Sequence, residues 1–91
     1  MISIELTGRL KKIVREAGRE AEVSATLRLV QEGFGNPHAH MGISIRKLGK
    51  SIYECRTSRA WRLVFMAQKG LLTFDFAGDH DAVQNYLRGQ R

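Results

Sequence analysis

The sequence predicts an α+β fold: two N-terminal helices packed on a curved antiparallel sheet of four to five strands, followed by a short C-terminal helix. Three observations carry that expectation. Apolar residues recur at helical spacing through the first third of the chain, the pattern changes to alternation after Pro37, and helical spacing returns after Asp79. The chain has 91 residues and is expected to form a single domain, residues 1–91. A chain this short buries only about 60–65% of its unfolded surface and cannot supply two cores.

Each element has its own signal. "ISIE" is a short apolar–polar alternation suited to an edge strand, and Thr7 after it is a good N-cap. Leu6, Leu10, Ile13, Val14 and Ala17 fall at helical spacing, with Gly18 as the stop. Val23, Leu27, Val30 and Phe34 repeat that spacing from about Ala21 and end at "GFGNP". A brief link between these stretches makes them antiparallel helices.

After Pro37 four strands are expected: "GISIRKL", "SIYECR", "AWRLVFM" and "LLTFDFA", separated by "GK", "TSR" and "QKG". Links this short force antiparallel neighbours. The last segment, "DHDAVQNYLR", sets Ala82, Val83, Tyr86 and Leu87 on one helical face and begins with Asp79 as N-cap. Alternation assigns the sides of the sheet. Tyr53 and Cys55 oppose Glu54 and Arg56, and Trp61, Leu63 and Phe65 oppose Arg62, Val64 and Met66. One face packs on the helices and the other is left to solvent, where function can be placed.

Hydrophobic residues make up 43% and charged residues 26%, ordinary values for a folded soluble protein. No run approaches the roughly 18 apolar residues of a membrane span, and "MISIELTGRLKK" lacks the apolar stretch of a signal peptide, so a cytoplasmic protein is expected. The single cysteine, Cys55, excludes an internal disulfide and a zinc knuckle.

The net charge of +6 is unevenly placed. Residues 1–45 hold six Lys/Arg against five Asp/Glu, and residues 63–91 hold three of each. Residues 46–62 hold six cations (Arg46, Lys47, Lys50, Arg56, Arg59 and Arg62) against Glu54 alone. An excess gathered in one stretch is what an anion-binding surface needs; the alternative is a basic face kept for solubility.

Arg56 and Arg62 fall on the same face of adjacent strands, a rigid fork for a phosphate, since guanidinium donates bidentate hydrogen bonds and keeps its charge. Lys47 and Lys50 add point charges. The competing reading is that both arginines only pair with Glu54, Asp75 or Asp79. His80, in "AGDHDAV" at a strand-to-helix junction, is either a proton carrier or an incidental loop residue. His38 and His40, two apart in "NPHAHMG", have no third ligand at a recognisable spacing, and no metal or other cofactor is expected.

"IRKLGKSIYECRTSRAWRLVFMAQKGLLTFDFAGDHDAV" resembles the RelE/ParE superfamily of toxins from type II toxin–antitoxin pairs. The family pattern runs as "kLkg", "lyElR", a turn, "yRlvy", an apolar strand and a "gkHdevY"-like junction, after two helices. The resemblance covers roughly residues 37 to 88. It implies a microbial RNase fold and, for the RelE-like members, cleavage of mRNA in the ribosomal decoding site. By position Arg62 matches the active-site arginine of "yR", Arg56 the arginine of "lR", and His80 the position of a catalytic or phosphate-contacting His or Arg. Ile52 and Glu54 stand where some RelE proteins carry lysines, and Gln84 where a tyrosine is often found.

Chemistry agrees in outline. Attack of an RNA 2′-OH on the adjacent phosphorus needs a base, cations for the phosphorane and an acid for the 5′-oxygen. Arg56, Arg62 and His80 are the candidate catalytic residues, Glu54 a possible acid or base, and Arg46, Lys47, Lys50 and Arg59 candidate RNA contacts. The implied partners are a cognate antitoxin, the ribosome and mRNA. A non-catalytic ParE-like gyrase inhibitor and a plain RNA-binding module are the alternatives.

Overall fold

In the computed structural model, which describes residues 2–34, 44–58 and 60–89, eight elements follow one another. They are β1 (Ser3–Leu6), α1 (Gly8–Ala17), α2 (Glu20–Gly33), β2 (Arg46–Gly49), β3 (Ile52–Arg56), β4 (Arg62–Gln68), β5 (Leu71–Gly78) and α3 (His80–Gly89). The α+β class and the element order are those expected from the sequence.

The helix ends are chemically explicit. Leu10 N–H donates to Thr7 Oγ1 at 3.1 Å, which satisfies one of the orphan donors of α1. Gly18 ends that helix in the left-handed region at φ 66°, where a residue without Cβ is unstrained. Ala82 N–H donates to Asp79 Oδ1 at 2.8 Å and starts α3. Leu6, read as helical from its spacing, is the last residue of β1.

The sheet order is β1-β5-β4-β3-β2. Strands β2 to β5 form the antiparallel meander that short links require, but β1 pairs with β5 in parallel, from Ser3 opposite Leu71 to Leu6 opposite Phe74. The sheet is therefore mixed rather than antiparallel. Parallel neighbours need a long connection, and the whole chain between β1 and β5 supplies it. Strand β2 is shorter than its alternation suggested: Ser44, at φ 47°, and Ile45 precede it, and residues 42 and 43 lie outside the described residues.

Helices α1 and α2 supply Leu10, Val14, Val23 and Val30 to the core, and the sheet supplies Cys55, Leu63, Phe65, Leu72, Phe74 and Ala77. An aromatic line crosses it. Phe65 stacks on Phe74 at 4.6 Å and on Tyr53 at 5.5 Å, and Phe34 meets both Tyr53 and Phe65 edge-on. Such pairs add about 0.5–1.5 kcal/mol each beyond their burial.

The second face of the sheet is not wholly free, as alternation had implied. Val64 faces Phe76 across β4 and β5, while Phe65 faces Phe74, so Asp75 is an extra residue in β5. The bulge sends Phe76 away from the main core. There its ring stacks on Tyr86 at 4.5 Å, and α3 covers that part of the sheet. Gly78 permits the approach: a Cβ on it would lie 2.8 Å from the Ala82 Cβ. Gly78→Ala is expected to cost about 1–3 kcal/mol by overpacking, read as a lowered urea midpoint. An unchanged midpoint would show that α3 does not rest on the strand.

Candidate functional site

The meander brings the arginines together. Arg56 ends β3 and lies directly opposite Arg62, which begins β4, and Arg62 lies opposite Gly78 at the end of β5. A row thus crosses three strands with two arginines opposite one another and no side chain at its third position. Opposed like charges destabilise a sheet unless something compensates them.

Glu54 is the compensating group. It lies one step inward on the same face as Arg62, with its side chain only 5% exposed. Its Oε2 is 3.4 Å from Arg62 Nε and 3.9 Å from Nε of Arg46, which faces Glu54 across β2 and β3. The Arg62 side chain is 14% exposed and that of Arg46 65%. Arg62 Nε is buried at ion-pair distance without hydrogen-bond geometry. Two guanidinium groups therefore share one carboxylate, and with Arg56 opposite Arg62 the cluster keeps a positive surplus. Arg56 is exposed and forms no ion pair among the described residues.

The other expected residues divide. Lys47 and Lys50 are exposed, in β2 and in the turn after it. Arg59, His38 and His40 lie outside the described residues. His80 is the first residue of α3, two positions beyond Gly78, and is exposed. The shallow groove it lines, with Asp81, Gln84, Asn85 and Arg88, includes neither Arg56 nor Arg62. Asp79 caps α3, and Asp75 accepts from Tyr86 Oη at 2.6 Å and lies 3.7 Å from Arg9 Nη1. Of the acidic partners considered for Arg62, Glu54 is the one that engages it. Among the described residues no group of three His, Cys, Asp or Glu is placed to hold a metal.

Two clusters had no signal in the sequence. The β3–β4 turn is tied to α2 by Thr57 Oγ1 donating to Glu22 Oε2, and Arg19 Nη1 bonds both Glu22 oxygens at 3.1 and 3.3 Å. The Arg19 guanidinium also lies 4.6 Å over the Trp61 ring. These contacts hold both sides of the turn that carries Arg56 and Arg62. On the far flank of α3, Asp75 and Phe76 hold Tyr86, and burial with the Asp75 hydrogen bond pushes its phenol well up. Only helical spacing hinted that Gln84 and Arg88 follow His80 along one side of α3.

No family model matches the sequence, and no curated protein matches it at a significant level. Solved structures do match. The fold is that of RelE-like toxins, as the order of motifs had implied. E. coli YafQ superposes with a TM-score of 0.70 at 19% identity, over 91% of this chain and 98% of that one. A copper-bound mutant toxin from Helicobacter pylori gives 0.71 at 13% identity, over 91% and 99%. The YoeB–YefM toxin–antitoxin complex of Staphylococcus aureus contains a chain at 0.61 and 14% identity, over 88% and 98%. What is shared at these identities is the fold. Among the described residues no helix is long and apolar enough to cross a membrane.

Glu54→Ala leaves a mostly buried Arg62 without its counter-charge and is expected to cost about 3 kcal/mol. Urea unfolding measures it, and a variant as stable as wild type would refute the pairing. A second expectation concerns Cys55, whose thiol burial and then the Glu54 charge push up to about 12 from 9.0. The folded chain holds the proton more tightly, so the contribution is complete below pH 9.0 and is lost as pH rises through about 12. Stability should fall by up to about 1.4 kcal/mol per pH unit in that window, less steeply in Cys55→Ala. Parallel pH profiles for the two proteins would overturn this.

Proposed function

We propose that this protein is the toxin of a type II toxin–antitoxin pair, an endoribonuclease that cuts mRNA held on the ribosome. The observation that carries the reading is the opposed Arg56 and Arg62 pair at one end of a RelE-like sheet, with Arg62 and Arg46 seated on Glu54 and Arg56 left exposed. Guanidinium groups carried on paired strands meet the charge that develops on the non-bridging oxygens of a phosphorane, and Arg62, seated on Glu54, is already held in place for it.

The RNA 2′-oxygen forms a bond to phosphorus while the bond from phosphorus to the 5′-oxygen breaks. The 2′-hydroxyl proton passes to a ring nitrogen of His80, and water protonates the departing 5′-oxygen. The products are a 2′,3′-cyclic phosphate and a 5′-hydroxyl. Glu54 is assigned a positioning role in place of acid–base chemistry, because its carboxylate is buried against two arginines. The grooves around the cluster are open rather than enclosing, which supports a substrate presented by a larger assembly such as the ribosome.

An antitoxin partner belongs to the same reading. The YafQ and YoeB chains were solved with DinJ and YefM in toxin–antitoxin complexes. A partner with an acidic or amphipathic segment would mask the positive surplus of residues 46–62. That the groove His80 lines takes in neither Arg56 nor Arg62 favours one other reading, a non-catalytic ParE-like inhibitor of DNA gyrase.

Induced expression of wild type, Arg62→Ala and Arg56→Ala in cells tests the proposal. Wild type is expected to arrest growth and cleave transcripts, and each variant to lose about 100–1,000-fold in cleavage rate. Arg56→Ala is the cleaner change, since that side chain is exposed and unpaired among the described residues. Intact transcripts with induced DNA damage signalling would replace the nuclease with the gyrase inhibitor.

A further inference from the structure

A second feature adjoins the arginine cluster. On α3, Gln84, Leu87 and Arg88 stand at positions i, i+3 and i+4, and this flank faces β2 and β3 across a groove of about 620 Å³. That size is within the range of about 300–1,000 Å³ usual for small-ligand sites. Among the described residues, Arg46, Lys47 and Arg88 line the groove as cations, and no carboxylate does. Leu48, Ile52 and Leu87 supply apolar lining between them.

Arg46 is also the residue that reaches Glu54, and through it Arg62, so the groove opens beside the proposed centre. Gln84 is half-buried and makes no hydrogen bond among the described residues. Arg88 is steadied by Nη1 donating to Asn85 Oδ1 at 3.1 Å. An acidic peptide would satisfy the cations alone. A single-stranded nucleotide satisfies the whole set: phosphate on the arginines, a base face on the apolar lining, and a base edge on an amide with both donor and acceptor atoms.

We propose that this groove is a nucleotide subsite for the RNA strand flanking the cut linkage, in which Arg46 and Arg88 hold phosphate and Gln84 selects the base. The assignment rests on the nuclease reading and adds sequence preference to it. A glutamine amide paired with a base edge discriminates against wrong bases by roughly 5–150-fold.

The experiment measures binding of short, uncleavable 2′-O-methyl RNA oligomers, one base type in each, by fluorescence anisotropy across a salt series. Full-length wild type, Gln84→Leu and Arg88→Gln are compared after circular dichroism confirms their fold. Wild type is expected to prefer one base by about tenfold, and Gln84→Leu to lose that preference. Arg88→Gln is expected to weaken all oligomers alike and to lower the salt slope by about 1. An unchanged base preference in Gln84→Leu would overturn the proposal, as would wild type binding none of the oligomers. Polyglutamate displacing the oligomers, with no base preference in any protein, would assign the groove to an acidic protein segment instead. Transcript cleavage by wild type and Arg56→Ala judges the nuclease reading separately, so failure of either leaves the other readable.

Discussion

The Arg62 guanidinium can sit mostly out of water at the start of β4 because the Glu54 carboxylate lies beside it, itself buried. Taking both charges from water is expensive, and their mutual attraction does little more than offset that cost. What the pair supplies is placement. With Glu54 fixed by β3, Arg62 has a defined seat, and Arg46 is drawn to the same oxygen from β2. Arg56 is left directly opposite Arg62 with no carboxylate of its own among the described residues. The unmatched charge is what an anionic substrate would find.

That seat depends on the layers on both sides. Beneath it, Cys55, Leu63 and Phe65 anchor β3 and β4 in the core against α1 and α2. At its end, Glu22 and Arg19 hold Thr57 and Trp61, so the turn between the two arginine strands is braced by a helix start. Above it, α3 is fastened on one flank by the Tyr86 contacts with Asp75 and Phe76. Its other flank faces the groove. Structural ties and open surface thus fall on opposite sides of one short helix.

Local chemistry was legible in the sequence and long-range geometry was not. Thr7, Gly18 and Asp79 announce their caps because each acts within three residues of itself. Alternation placed Arg56 and Arg62 on one face because hairpins impose register locally. The parallel pairing of β1 with β5 joins opposite ends of the chain and leaves no local trace. Glu54 was assigned to the outer face correctly, yet its burial depends on Arg46 and Arg62 arriving from two other strands. His80 was read at a strand-to-helix junction and begins α3, but the groove it lines depends on how that helix lies on the sheet.

The bulge at Asp75 has a wider effect than its one residue suggests. Up to Phe74 the even-numbered side chains of β5 enter the main core; after it, odd-numbered Ala77 does so. The strand changes phase midway, and only for that reason do Phe76 and Gly78 lie under α3. Deleting Asp75 would restore a regular ladder and leave Phe76 and Ala77 on their present faces, but it would remove the carboxylate that accepts from Tyr86. The extra residue therefore serves the contact with α3, while the β4–β5 turn is set by its own backbone, with Lys69 and Gly70 at φ 49° and 81° and Ser3 N–H donating to Gly70 O at 2.8 Å.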